Sequence, residues 1–156
     1  MKKGFSLVEL LVSMSIIVIL STIGVQSFVA AQRRAKLNAD VLKVTTAIRQ
    51  AQNRALAPSR SDLPDIRENE KICSMGVTLT SNSIYRFYTT GDTGSCSGKT
   101  NYSSEIKLSD SSFVGGAVFE FSVPFATTAR SVVIELNGTD LRSTITVTSS
   151  GIIKVE

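Results

Sequence analysis

A long apolar segment near the start of the chain sets the strongest limit on how this sequence can fold. The 27 residues from Phe5 to Ala31 contain a single charge, that of Glu9. A helix of this length spans roughly 40 Å, which exceeds the ~30 Å hydrocarbon core of a bilayer. Lys2 and Lys3 favour a cytoplasmic N-terminus, although basic residues also follow the segment. The segment predicts one membrane-spanning helix.

Glu9 places a charge inside the apolar segment, where a simple membrane anchor does not require one. A carboxylate inside hydrocarbon costs on the order of 2–3 kcal/mol even on the mildest scales. One alternative is an ordinary secretory signal peptide cut after Val29-Ala30-Ala31, but the apolar core of such peptides is usually about 7–15 residues. A generic uncleaved anchor is the other alternative, and it gives no reason for Glu9.

Composition narrows the possible chemistry. The chain has 156 residues, enough for one domain beyond the apolar segment, and carries 17 Lys+Arg against 13 Asp+Glu. It has no histidine, which excludes Ser-His-Asp and Cys-His nucleophiles and histidine-based metal sites. Two cysteines are too few for a cysteine-rich metal site. We therefore expect no enzymatic activity, no metal and no cofactor.

Two stretches resemble ligand-binding motifs but lack the residue spacing that those motifs require. Gly94–Thr100 resembles a phosphate-binding P-loop, but three residues separate its glycines where that motif has four. Asp62, Asp65 and Glu68 fall in a proline-containing stretch and lack the spacing of a calcium-binding EF-hand loop. Both stretches are therefore predicted to be ordinary loops.

The helical pattern continues beyond the apolar segment. One apolar stripe repeats at spacings of three and four residues: Leu37, Val41, Val44, Ile48, Ala51 and Ala55. Polar residues are assigned to the opposite side: Lys36, Asp40, Lys43, Gln50 and Arg54. Since no proline precedes Pro58, we predict one helix from about Phe5 to Ala57, membrane-buried in its first half and amphipathic in its second. The stripe packs on the protein's own sheet or, alternatively, forms a short coiled coil.

Strand-like runs fill the rest of the chain, with turn signals at Asn137-Gly138 and Ser150-Gly151. The runs are Ile72–Leu79, Ser83–Thr90, Ala117–Val123, Arg130–Leu136, Arg142–Thr148 and Ile152–Val155. The predicted fold class is α+β, with the long helix packed on an antiparallel β-sheet meander. Cys73 and Cys96 bracket a predicted hairpin and are either joined in an oxidising compartment or both reduced.

The leader carries a family resemblance. Lys2-Lys3-Gly4 followed by Phe5-Ser6-Leu7-Val8-Glu9-Leu10-Leu11-Val12 resembles the start of type IV pilins and pseudopilins. The resemblance implies that a prepilin peptidase cuts between Gly4 and Phe5 and methylates the new amine. It also implies that Glu9, then the fifth residue, pairs with the amine of a neighbouring subunit during assembly.

The same resemblance implies a layout and a set of partners. Residues 1–4 are the prepilin leader, residues 5–31 the transmembrane and assembly helix, and residues 32–156 an extracytoplasmic pilin-like domain. The implied partners are other pilin or pseudopilin subunits, the prepilin peptidase, an inner-membrane assembly platform and membrane lipid. The protein is expected in the cytoplasmic membrane as a single-pass protein, and in a pilus or pseudopilus after assembly.

Later segments resemble GspH/FimT-type minor pseudopilins and minor pilins, namely Ala47–Ala55, Leu141–Val147 and Gly151–Ile153. This implies a structural minor subunit of a type IV pilus-like or type II secretion filament. One alternative is a DNA-uptake minor pilin. Some FimT-like members bind DNA through Gly-Arg-x-Arg, but Gly151-Ile152-Ile153-Lys154 lacks those arginines, so DNA is an unsupported partner. A membrane-anchored extracytoplasmic enzyme is the other alternative, and no catalytic constellation supports it.

Overall fold

The structure, a computed structural model, describes residues 6–61, 63, 66, 67, 69–92, 95–126 and 128–156. Within these residues the chain forms a helix, α1 (Leu7–Leu56), followed by nine strands. The strands are β1 (Lys71–Thr80), β2 (Ser83–Asp92), β3 (Ser95–Asn101), β4 (Ile106–Lys107), β5 (Ser111–Val114), β6 (Ala117–Ser122), β7 (Arg130–Leu136), β8 (Arg142–Val147) and β9 (Ile153–Val155). The chain divides into two compact units, Met1–Ala35 and Lys36–Glu156.

Helix α1 ends where the sequence predicts. Its last residue, Leu56, lies two positions before Pro58, and the residue before a proline is sterically disfavoured in the helical region. All six residues of the predicted apolar stripe are buried, from Leu37 to Ala55. The predicted start, Phe5, lies outside the described residues.

The prediction for Asp40 is wrong. Asp40 was assigned to the solvent side of α1, but its exposed fraction is only 1%. The helical spacing contains the signal, because position 40 is three residues after Leu37 and four before Val44, both of which are buried. The prediction placed Asp40 in solvent because it is charged, although its position in the helix lies on the buried face.

The first sheet has the strand order β3-β2-β1-β6, and β4 pairs with the first two residues of β2. All of its pairings are antiparallel. Apolar side chains of β1 and β6 alternate with polar ones, so that Val77, Leu79, Phe119 and Phe121 are buried. The sheet therefore turns one apolar face toward the core.

The second sheet has the order β5-β7-β8-β9, again antiparallel throughout. The predicted α+β class is confirmed, and β7, β8 and β9 form the expected meander. Strand β6, however, pairs with β1 in the first sheet. Gly115 and Gly116 connect β5 to β6 and so carry the chain between the sheets, with φ of 84° and 63°. Positive φ is easily adopted only by glycine, and a Cβ at residue 116 would lie 2.9 Å from the Leu79 carbonyl oxygen.

The stretch from Gly94 to Thr100 is not the predicted loop. Ser95–Asn101 forms β3, which pairs with β2 from Asp92 to Phe87, while Gly94 lies outside the described residues. Strand β3 lies at the edge of its sheet, and its sequence does not alternate between apolar and polar residues. Its backbone pairing with β2 and the Cys96 disulfide hold it there.

One hydrophobic core joins the amphipathic part of α1 to both sheets. It combines the α1 stripe with Met75, Ile84 and Tyr88 of the first sheet and Phe113, Ile134 and Ile145 of the second. The alternative of a coiled coil is therefore not needed to explain the stripe, since the protein's own strands cover it.

Candidate functional site

The N-terminal part of α1 presents an apolar surface that includes Glu9. By length and composition, α1 is the helix of the described chain that is able to cross a membrane. Apolar side chains along its first part are exposed, among them Leu7 at 77%, Ile17 at 62% and Phe28 at 69%. Such a surface is stable only in lipid or against other apolar helices.

Glu9 lies in the first turn of α1. The N–H groups of Glu9 and Leu10 both donate to the Ser6 carbonyl oxygen, at 3.1 and 3.2 Å, which closes that turn. A carboxylate at this end of a helix is stabilised by the positive end of the helix dipole. Within the described residues no cation lies within ion-pair distance of Glu9. Any ion-pair partner of Glu9 therefore lies outside the described part of the chain.

Three serines of the apolar segment, Ser13, Ser15 and Ser21, donate their hydroxyls to backbone carbonyl oxygens of the helix. Ser13 donates its hydroxyl to the Glu9 carbonyl oxygen at 2.6 Å, and Ser21 donates to that of Ile17 at 2.7 Å. Such local bonds make a hydroxyl tolerable in hydrocarbon. The Glu9 carboxylate makes no such bond among the described residues, and it is the charged group of this segment.

The predicted processing site at Gly4 and Phe5 lies outside the described residues. So do the acidic residues weighed for calcium, Asp62, Asp65 and Glu68. Among residues that the structure does describe, no group of three or more His, Cys, Asp or Glu side chains is arranged to hold a metal ion.

The two cysteines are brought together by the first sheet. Cys73 of β1 and Cys96 of β3 form a disulfide with a Cα–Cα distance of 6.1 Å, although β2 lies between their strands. Strands two positions apart are normally about 9–10 Å from each other. Two features shorten this distance: the β1–β2 register shifts at Cys73, and the intervening residue, Gly91, has no side chain for the bridge to avoid.

The disulfide is expected to form during export in the host. Non-reducing peptide mapping should recover Cys73 and Cys96 in one cross-linked peptide pair. The bridge closes a loop with a sequence separation of 23, which predicts a loss of roughly 3 kcal/mol in the paired Cys73→Ser, Cys96→Ser variant on the chain-entropy account. Free thiols at both positions in exported protein would contradict the expectation.

Sequence reasoning missed a polar cluster, the Asp40 joint, that fastens α1 to the loop before β5. The Asp40 carboxylate accepts hydrogen bonds from Lys43 Nζ at 3.0 Å and from the backbone N–H groups of Ser109 and Asp110 at 3.1–3.2 Å. Lys43 also donates to the Ser109 hydroxyl at 2.8 Å, and Lys36 pairs with the Asp110 carboxylate at 3.0 Å. A buried carboxylate is stable here because its partners are all donors.

These contacts also set the ionisation of Asp40. Burial raises the pKa of its carboxyl, but the hydrogen bonds from Lys43, Ser109 and Asp110 together lower it by more, so that the pKa lies below its ordinary value. The nearby Ser111 hydroxyl also lowers the pKa of Asp40, although it does not meet the geometry of a full hydrogen bond. Asp40 is therefore ionised at neutral pH.

The C-terminal stretch weighed for DNA binding, residues 151–154, forms the end of the β8–β9 turn and the first two residues of β9. Gly151 has a φ of 81°, and its carbonyl oxygen accepts a hydrogen bond from the Gln52 amide at 3.0 Å. This bond fastens the β8–β9 turn to α1. Arginines gather instead around Tyr102, with the guanidinium carbons of Arg54 and Arg86 at 5.0 and 5.8 Å from its ring centroid.

Comparison with known protein families matches the leader. Residues 1–25 match the family described as the prokaryotic N-terminal methylation motif, which is the type IV pilin-like prepilin signal. Comparisons with curated proteins and with solved structures found no match. The motif supports a type IV pilin-like or pseudopilin-like protein and implies processing by prepilin peptidase and assembly with other pilins. Together with the apolar helix, it fits membrane anchoring and pilus assembly.

Proposed function

We propose that this protein is a structural minor subunit of a type IV pilus-like or type II secretion filament, assembled through α1. The observation that carries the proposal is the methylation motif over residues 1–25, with Glu9 inside the apolar helix that the motif begins. The exposed apolar side chains of that helix support the same role, since a filament of packed helices would cover them.

The proposed mechanism uses the charge of Glu9 as a register signal. Cleavage after Gly4 creates a new amine at Phe5, about 6 Å along the helix from Glu9. A neighbouring subunit displaced along the filament axis brings its own amine level with this carboxylate. In a low dielectric the two charges attract strongly and each offsets the desolvation of the other. A wrongly staggered neighbour leaves both charges unpaired and is disfavoured.

The proposed layout follows from this mechanism. Residues 1–4 are removed, residues 5–31 anchor the precursor in the cytoplasmic membrane and then pack in the filament, and residues 32–156 form the extracytoplasmic domain. The partners are other pilin or pseudopilin subunits, the prepilin peptidase, the inner-membrane assembly platform and membrane lipid. The resemblance to GspH/FimT-type subunits favours a minor subunit.

The proposal predicts one processed N-terminus. Protein purified from host membranes should begin at Phe5 and carry one additional methyl group, as measured by intact mass and N-terminal peptide sequencing. In a host that lacks its prepilin peptidase, the protein should keep the four leader residues and the unmodified mass. A mature protein that begins at Gln32 would show ordinary signal-peptide cleavage and overturn the filament assignment.

A further inference from the structure

A cleft in the Lys36–Glu156 unit lies apart from Glu9 and the apolar part of α1 in sequence, and the proposed assembly mechanism does not use it. It has a volume of about 570 Å³ and is lined by the β1–β2 turn, the β5–β6 connection and the first residue of β7. We propose that this cleft, the Arg130 cleft, binds an anionic small molecule of about monosaccharide size, through a carboxylate or phosphate group.

Arg130 supplies the charge. It lies at the start of β7 and is exposed, and within the described residues its guanidinium makes no ion pair or hydrogen bond. By contrast, Arg142 on the neighbouring strand contacts Glu135 at 3.4 Å. The described lining of the Arg130 cleft contains no acidic side chain. A guanidinium left without a counterion at the wall of a cleft favours an anionic ligand.

Two glycines of the β5–β6 connection line the same cleft. Gly115 and Gly116 both have positive φ, and neither of their N–H groups has a hydrogen-bond partner in the described part of the chain. Successive backbone N–H groups that have no partner within the chain are available as donors to an anion. The Phe113 N–H, two residues before Gly115, by contrast donates to the Ser81 carbonyl oxygen at 2.6 Å.

Hydroxyl groups of the β1–β2 turn complete the polar wall. Thr80 and Ser81 line the cleft and are exposed, and no partner for either hydroxyl is found among the described residues. Ser81 is a non-glycine residue with a φ of 52°, a conformation that glycine or asparagine adopts more easily. The Ser81 hydroxyl, like that of Thr80, is available to a ligand.

The lining determines the chemical class of the ligand. A guanidinium and two N–H groups are donors only, and hydroxyls donate as readily as they accept. The group bound beside Arg130 is therefore an acceptor with negative charge, as carboxylates and phosphates are. Phe113, Ala117 and Val118 supply apolar surface for an uncharged ring. The volume falls within the range of about 300–1,000 Å³ that is typical of small-molecule sites.

The test is a titration of the full-length protein in detergent micelles, followed by the amide signals of Gly115 and Gly116 in two-dimensional nitrogen–proton NMR spectra. The probes are inorganic phosphate, glucuronate and, as the uncharged match, glucose. We expect saturable shifts of both glycine signals with phosphate or glucuronate, and none with glucose. Saturation by glucuronate alone assigns the site to a carboxylate with its sugar ring, and saturation by phosphate alone assigns it to phosphate.

Two variants and a control make the assignment specific. Arg130→Gln should weaken binding at least about tenfold, since a charge-assisted hydrogen bond is roughly twice as strong as a neutral one. Thr80→Val should weaken it by a smaller factor, whereas Arg142→Gln, which removes an arginine from the same sheet, should leave it unchanged. The proposal is overturned if neither anion saturates the glycine shifts below about 10 mM, or if Arg130→Gln and Arg142→Gln behave alike.

Discussion

Glu9→Val protein is expected to reach the membrane and to be processed, yet to be absent from filaments. The substitution makes α1 more apolar, so insertion should persist or improve. Cleavage at Gly4 lies before the changed residue. Removing one member of a buried ion pair costs about 3–5 kcal/mol, which lowers incorporation by about two to three orders of magnitude. The measurement is the recovery of mutant and wild-type protein in sheared filaments, normalised to the processed protein in membranes.

Matched variants separate the charge from the side-chain shape. Glu9→Gln keeps the size of the side chain and removes its charge, so it should fail as Glu9→Val does. Ser13→Ala removes a polar group one helical turn away, whose hydroxyl is already satisfied by the Glu9 carbonyl oxygen at 2.6 Å. It should assemble normally. Equal recovery of Glu9→Val and wild type would reject Glu9 as an assembly residue and leave the membrane anchor in place.

Asp40→Ala is expected to destabilise the Lys36–Glu156 unit by at least about 3 kcal/mol, because three donors lose a charged acceptor and each loss costs about 1–3 kcal/mol. The donors are Lys43 Nζ and the N–H groups of Ser109 and Asp110. The measurement is denaturation of the full-length protein in micelles, followed by tyrosine fluorescence, since all three tyrosines lie in this unit and the chain has no tryptophan. Asp140→Ala, which removes an exposed carboxylate, is the control and should change little.

The Asp40 joint also predicts a pH dependence. The pKa of Asp40 is lower in the folded state than its ordinary value, so its contribution is complete above the unfolded-state pKa and is lost as the pH falls through the folded-state pKa. Stability should therefore fall as the pH drops from about 5 to below the ordinary aspartate pKa, and less steeply in Asp40→Asn than in wild type. Parallel pH profiles for the two proteins would show that Asp40 is not responsible.

The local sequence determined the helix, most of the strands and the turns, because the patterns that predict them lie in neighbouring residues. The apolar stripe of α1 and the absence of proline before Pro58 placed the helix end within a residue of Leu56. Six strands followed from alternation and turn residues, and Gly138 and Gly151 adopt the positive φ that those turns require. The leader motif around Gly4 lies within residues 1–25, which match the prokaryotic N-terminal methylation motif.

Tertiary structure alone decided the features that depend on distant partners. The donors that satisfy the buried Asp40 carboxylate lie about 70 residues further along the chain, at Ser109 and Asp110, although helical spacing already places Asp40 on the buried face. Strand β3 has no apolar pattern of its own and exists because β2 and a disulfide hold it. The division of the strands into two sheets depends on where β6 finds its partner, β1. Hydrogen bonds between distant backbone groups carry no local signature, because any residue except proline supplies the same donor and acceptor.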